Sequence, residues 1–346
     1  MALELAGNKA KEALKCYRQA AEGGNGDALF RLGKAHEFGE LTLAIDLEAA
    51  RTWYQEAAEG GDLDAQCRLG FAYMYGSLGL EIIFEMALMW FEMAAEGDHI
   101  ISQWQLGVTY EDGDLGVVTN FETALRYFQE AAEGGDPDAQ HRLGEACEFG
   151  QLTLAIDLEA ALKWYRQAAE GGDDTAQLRL GFAYEAGGLT LAIDLEAARM
   201  CFQDAAEGGD GTGQLRLGLA CEVGQLTLAI DLEAALECYQ EAAKDGNGNA
   251  QWRPGRAYES GELTLVIDLE AQRMWLQKAA DSDFEIGTFR GLWRAYISSN
   301  GTPEEVWRLK LGFAQWRLEQ EEEEEEQEEE EPTDGLPHFS LKKRDV

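Results

Sequence analysis

The chain has 346 residues, and 45% of them are hydrophobic, which is ample material for a core. Acidic residues outnumber basic ones 66 to 28, giving a formal charge of −38. Such a body repels nucleic-acid phosphates and anionic membrane surfaces; it suits a basic protein partner, or serves solubility.

No apolar run is long enough to span a membrane. The opening stretch, MALELAGNKAKEALKCYRQ, lacks the apolar core of a signal peptide, so the expected location is the cytoplasm. Three basic residues, Lys342, Lys343 and Arg344, are weak grounds for a nuclear alternative. The six cysteines follow no paired spacing. Cys16, Cys201 and Cys238 stand where other copies of a repeated unit carry Trp or Tyr, and Cys147 and Cys221 stand where others carry Tyr73 or Tyr184. They are expected to be buried apolar substitutes in a reducing compartment, with a Cys221–Cys238 disulfide as the alternative.

The repetition is the dominant signal. Arg-Leu-Gly ends at Gly33, Gly70, Gly144, Gly181 and Gly218, Gln-Leu-Gly at Gly107 and Arg-Pro-Gly at Gly255, all on a period of 37 residues. An aromatic pair keeps the same period, as at Trp53-Tyr54, Trp90-Phe91, Tyr127-Phe128 and Trp164-Tyr165. A fixed period in this range is the signature of stacked repeats.

Residues 1–26 read as a partial repeat, a second helix over 9–22 with no first helix before it. Either a short cap precedes that helix or the chain is a piece of a longer array. Residues 27–280 read as seven repeats of two helices each. In one first helix, Ala65, Leu69, Ala72 and Tyr73 share a face; in one second helix, Ala50, Trp53, Tyr54, Ala57 and Ala58 do. Trp164 is expected in the core. Asp136-Pro137 starts a first helix, and Asp46, Asp157, Asp194, Asp231 and Asp268 are expected N-caps of second helices. Gly76 and Gly150 close first helices, and Gly60, Gly171 and Gly208 stop second ones. Residues 281–318 read as a degenerate repeat and a capping helix, opened by the capping box Thr302-Pro303-Glu304-Glu305. Residues 319–346 form an acidic tail, expected to be disordered.

These residues resemble the Sel1-like repeat family, kin of the tetratricopeptide repeats. Ala65, Leu69, Gly70, Tyr73 and Gly76 match its first helix; Asp157, Ala161, Trp164, Tyr165, Ala168, Ala169 and Gly172 match its second. The link LTLAID is a residue longer than the family's usual one, and Ile83 replaces the capping Asp in the second repeat. The resemblance implies an all-α fold, a right-handed α-solenoid of about seven helix–turn–helix repeats with a C-terminal capping helix. It also implies that first helices line the concave side.

No catalytic constellation emerges. His36, His99, His141 and His338 pair with nothing at metal spacing, and no glycine motif follows a strand, so neither an enzyme nor a cofactor is expected. What remains is surface. On the concave mapping, Phe30, Phe71, Trp104, Phe182 and Trp252 lie on the groove floor, beside a carboxylate row that includes Glu111, Glu148, Glu185, Glu222 and Glu259. The expected function is a scaffold or adaptor gripping a basic peptide or helix: aromatics supply contact area, and glutamates select charge. The plainer alternative packs the apolar row between first helices and leaves the glutamates solvated. The recurring arginines, Arg68, Arg142, Arg179 and Arg216 among them, are expected to bond carboxylates within the array. A second functional alternative is an acidic chaperone of basic proteins, acting through the Glu-rich run 319–331.

Overall fold

The computed structural model describes residues 2–244 and scattered positions between 250 and 275. The expected capping helix and acidic tail lie outside the described residues. The chain divides into two units, Met1–Asn247 and Gly248–Val346.

In the first unit α1 (Ala2–Glu22) precedes six helix pairs: α2 (Gly26–Phe38) with α3 (Leu47–Glu59), α4 (Leu63–Tyr75) with α5 (Phe84–Glu96), α6 (Ile100–Asp112) with α7 (Phe121–Glu133), α8 (Pro137–Phe149) with α9 (Leu158–Glu170), α10 (Asp174–Ala186) with α11 (Leu195–Gly208), and α12 (Gly211–Val223) with α13 (Leu232–Lys244). The described residues contain no strand. Each helix packs chiefly on the next in sequence, so the unit is a stack held by contacts between adjacent helices and adjacent repeats. The helix expected from residue 9 begins at Ala2.

Caps set the ends. Asp46, Asp157, Asp194 and Asp231 accept backbone N–H bonds from the first turn of their second helices, as at Ala49 N–H to Asp46, 2.9 Å. First helices are capped by Asn25, Asp62, His99, Asp136, Asp173 and Asp210. Ile83 makes no such bond. Gly76 and Gly150 close their helices in the left-handed conformation. Helix α11 runs one residue past its expected limit, through Gly208, and Gly209 is its cap.

The core is built where the two helices of a repeat face each other. Small residues on both, such as Ala139, Gly144 and Ala146 against Ala161 and Ala168, let the backbones approach. One ring fills the remaining space in each pair: Tyr54, Phe91, Phe128, Tyr165, Phe202 or Tyr239, each fully or almost fully buried. The core ring is therefore the second member of each aromatic pair. Trp164, expected in the core, is only half-buried and packs between the clusters of two adjacent repeats, because it lies one residue round the helix from Tyr165.

The links take a form that helix periodicity does not announce. Leu41 and Thr42 both have positive φ, 52° and 65°, and Leu43 N–H donates back to Glu40 O at 2.9 Å. This is the arrangement of a type I′ turn, ordinarily the preserve of Asn and Gly. Leu152-Thr153, Leu189-Thr190 and Leu226-Thr227 repeat it, and in two links glycine takes the second place, at Gly79 and Gly116. The leucine side chain is buried in every link from Leu78 onward, so core burial offsets the cost of its left-handed backbone.

All six cysteines are unbridged. Cys67 and Cys147 are buried and Cys201, Cys221 and Cys238 half-buried. Cys16 is exposed, contrary to expectation, because α1 packs on α2 alone.

In the second unit the described positions keep the register: Ala250, Ala257 and Leu263 are buried, and Met274 and Trp275 are helical.

Candidate interaction surface

The aromatic and carboxylate rows lie on the first helices, next to the second-helix core rings. Glycine at the end of each Arg-Leu-Gly or Gln-Leu-Gly makes this possible. A Cβ on Gly70 would sit 2.6 Å from Cε1 of Phe91, and one on Gly144 2.8 Å from Tyr165. The core ring packs against that bare backbone through its Cδ1 and Cε1 atoms. A first-helix aromatic then leans on the same ring from outside: Phe30 on Tyr54 (5.4 Å between centroids), Phe71 on Phe91 (4.9 Å), Trp104 on Phe128 (5.1 Å), Phe182 on Phe202 (5.1 Å). His141 does the same against Tyr165, at 5.7 Å. All five are half-buried, wedged by the core and open on one side. Trp252 and Glu259 lie outside the described residues.

The carboxylates follow on the same helices, seven residues after Phe30, Trp104 and His141 and three after Phe182, and they are engaged. Arg68 reaches back one repeat to Glu37, Arg142 to Glu111, Arg179 to Glu148 and Arg216 to Glu185. The first three pairs are two-pronged: Nη2 meets one oxygen and Nε the other, at 3.2, 3.1 and 2.9 Å. Arg216 uses Nη2 alone, and its guanidinium lies over the Phe182 and Phe202 rings at 5.1 and 5.5 Å. Where the core ring is a tyrosine, its hydroxyl donates to the same carboxylate: Tyr54 to Glu37 (2.7 Å), Tyr165 to Glu148 (2.8 Å), Tyr239 to Glu222. Burial, then the hydrogen bond to glutamate, pushes the Tyr54 and Tyr165 hydroxyls well above the usual phenol value. Its hydrogen bond to Glu148 holds the Arg179 guanidinium above its usual value. The arginine row thus bonds within the array, as expected, and does so between consecutive repeats.

One boundary lacks this clamp. Met74 stands where the glutamate should be and Gln105 where its arginine should be. Both charges are missing together, so neither is left buried and unpaired. Phe91 supplies a core ring without a hydroxyl there, and Phe71, Met74 and Tyr110 pack beside it. Tyr75 stacks on Phe71 at 6.2 Å and is exposed.

Sequence reasoning missed a second ladder. Gln66, Gln103, Gln140, Gln177 and Gln214 each donate Nε2 to a carbonyl near the end of the preceding second helix, as Gln66 does to Ala58 O at 3.0 Å. The signal was the recurrence of Gln on the apolar face every 37 residues. Each of these carbonyls also accepts the backbone N–H three residues on, so the amide occupies its second lone pair. No group of His, Cys, Asp or Glu among the described residues is arranged to hold a metal ion.

The fold and this surface define an α-solenoid whose repeats are fastened by side chains and whose first helices carry a row of fixed aromatics. Sel1 repeats are matched at residues 7–25, 26–62, 63–99, 100–136, 137–173, 174–210, 212–247 and 249–284, and the chain belongs to the Sel1 repeat family. Proteins of this family generally mediate protein–protein interaction. Among solved structures, the Sel1 repeat protein from Oxalobacter formigenes is 29% identical, with a TM-score of 0.63 over 74% of this chain and 97% of that one. The protective antigen c5321 of uropathogenic Escherichia coli, described as displaying an SLR fold, is 27% identical, with a TM-score of 0.49 over 84% of this chain and 69% of that one. No curated protein matches the chain.

Proposed function

We propose that the chain is a non-enzymatic adaptor that holds an extended or helical segment of a basic protein along its first-helix face. The observation that supports this is the aromatic row. Phe30, Phe71, Trp104 and Phe182 are each backed by a core ring, so little side-chain freedom is lost when a partner covers them. Trp252 continues the row by sequence. The carboxylates Glu111, Glu148, Glu185 and Glu222, with Glu259 by sequence, line its side. Because arginine or tyrosine already engages the first four, they offer a cation a shared oxygen rather than an open charge. The aromatics therefore supply the affinity, and the net charge of the body favours approach of a basic protein. Six unbridged cysteines suit a reducing, cytoplasmic setting.

The test is capture of the natural partner by three proteins: the full chain, a chain ending at residue 318, and the triple variant Phe71→Ala, Trp104→Ala, Phe182→Ala. The adaptor reading expects the shortened chain to keep the partner and the triple variant to release it roughly tenfold or more faster. Retention by the triple variant and loss on shortening would move the function to the acidic tail.

A further inference from the structure

The links between first and second helices carry a surface that neither the core nor the aromatic row uses. Ile45, Ile82, Ile156, Ile193 and Ile230 recur at the same place in five links and are each 58–67% exposed. Val118 stands in the remaining link, one residue earlier in register, and is exposed as well. A second file runs two residues on: Leu47, Phe84, Phe121, Leu158 and Leu195, all exposed. Each isoleucine has a partial structural duty. Its Cγ1 lies 3.0–3.2 Å from where a Cβ would stand on the glycine closing the first helix, as for Ile156 over Gly150. That duty explains the inner part of the side chain and leaves the rest in water. At this exposure the five isoleucines present on the order of 600 Å² of apolar surface at one repeating position, interrupted by Thr119, which takes the same place over Gly113.

The charge within the links has one sign. The segments 39–50, 76–87, 113–124, 150–161, 187–198 and 224–235 contain thirteen Asp and Glu and no Lys, Arg or His. In four links the order is Ile-Asp-Leu-Glu, alternating apolar and acidic. Among these carboxylates only Glu196 has a basic partner within the described residues, Arg199. The contrast with the first-helix face is physical: there the glutamates are clamped by arginine, while here the carboxylates, Glu196 apart, meet only water or the backbone N–H groups of the helix they cap. Two copies of this edge would repel each other, which disfavours a second copy of the chain as occupant.

We infer that the link edge is a second docking surface, whose occupant is a protein segment in which lysines or arginines alternate with aliphatic side chains. The aliphatic side chains cover the isoleucine file, and the cations meet the Asp and Glu flanking each rung. The site is separate from the first-helix face and does not depend on it, so the two surfaces can be occupied together.

The probe is a short labelled peptide alternating Lys and Leu, titrated by fluorescence anisotropy into the full chain at physiological salt. Counterparts alternate Lys with Ser and Glu with Leu. The protein variant is Ile156→Thr, Ile193→Thr, Ile230→Thr; threonine keeps a branched Cβ over the closing glycine, and circular dichroism checks the helices. Wild type should bind the Lys-Leu peptide, and the triple variant should bind it roughly tenfold or more weakly. The Lys-Ser and Glu-Leu peptides should bind poorly. Trp104→Ala should bind like wild type, which separates this surface from the aromatic row. Amide exchange on bound wild type should slow at 150–158 and 187–195. Equal binding by the triple variant, or slowing confined to the first helices, overturns the inference. So does sedimentation of wild type as a dimer that the triple variant abolishes, since the occupant would then be a second copy. If the triple variant loses helix, Asp157→Asn with Glu159→Gln replaces it. Those changes keep the cap acceptor and should weaken the Lys-Leu peptide severalfold; no change overturns the inference.

Discussion

Gly144 shows what a single hydrogen atom in place of a methyl does here. A Cβ there would meet Cδ1 and Cε1 of Tyr165 at 2.8 Å, and the ring in turn brings its hydroxyl to Glu148. Gly144→Ala should cost about 1–3 kcal/mol by overpacking, read as a drop in the denaturant midpoint. Tyr165→Phe keeps the ring and removes only the bond to Glu148; about 1 kcal/mol is expected, since Arg179 still holds the carboxylate. The thiols report the same interior. Burial pushes Cys67 and Cys238 up to about 11 from the ordinary 9.0, while Cys16 is exposed. A thiol-specific reagent should therefore modify Cys16 first in the native protein and Cys67 and Cys238 slowly. The linkage has a definite sign. A raised pKa in the folded state means stability is complete below the unfolded value of 9.0 and is lost progressively as pH rises from there to about 11. Tyr54 and Tyr165, shifted in the same direction, extend the loss further upward. A denaturant midpoint that rises through this window would contradict the burial of these groups.

At the level of the element, the unit of interest is the boundary between consecutive repeats. Four boundaries carry an Arg–Glu clamp with both partners at least partly buried, and the boundary of Met74 and Gln105 carries none. Installing Met74→Glu and Gln105→Arg together should build the missing clamp. Each change alone should destabilise, the first by losing packing beside Phe91 and the second by adding an unanswered charge. The double-mutant cycle should return a favourable coupling of about 1 kcal/mol. A coupling of zero would mean that the clamps are surface decoration. The link turns allow an independent check. Thr190 has φ 63°, where a β-branched residue is strained. Thr190→Gly, the residue two other links use, should leave stability unchanged or raise it by up to about 1 kcal/mol in thermal melts.

Across the whole first unit, the main helix packing is between consecutive helices, and the clamps join adjacent repeats. Stability is then close to a sum over repeats and their boundaries, so a severe lesion in one repeat should melt part of the stack rather than all of it. Gly144→Ala should split the thermal transition into two, with exchange protection lost first around α8 and α9. The charge also acts at this scale. Acidic residues exceed basic ones by 38 over the chain, and most acidic side chains among the described residues face water. Added salt should raise the melting temperature by screening that repulsion, because the clamps are partly buried and lose less to screening. A fall in melting temperature with salt would mean that exposed ion pairs outweigh the repulsion.

The repeat, its period, its two helices, and the Asp and Gly that bound them were legible in the chain because they are local. A cap needs a residue within three of its donor, and a helix face needs a spacing of three or four. The arginine row was legible as well, in that a basic residue recurring through so acidic a body has carboxylates to bond. Which carboxylate it bonds was not. Arg179 meets Glu148, and 31 residues of chain lie between them, so only the stacking of one repeat on the next brings them together. That stacking also decided that Tyr165 rather than Trp164 fills the core, since a rotation of one residue about the helix separates the two and only the approach of the facing backbone selects between them. It decided that Cys16 faces water, because α1 packs on α2 alone. It closed the glutamate row with arginines and left the isoleucines of LTLAID outside, where their hydrophobicity alone had given no indication of exposure. Local physics wrote the repeat into the sequence; the contacts between repeats, made across a whole period of chain, assigned each side chain to core, clamp or surface.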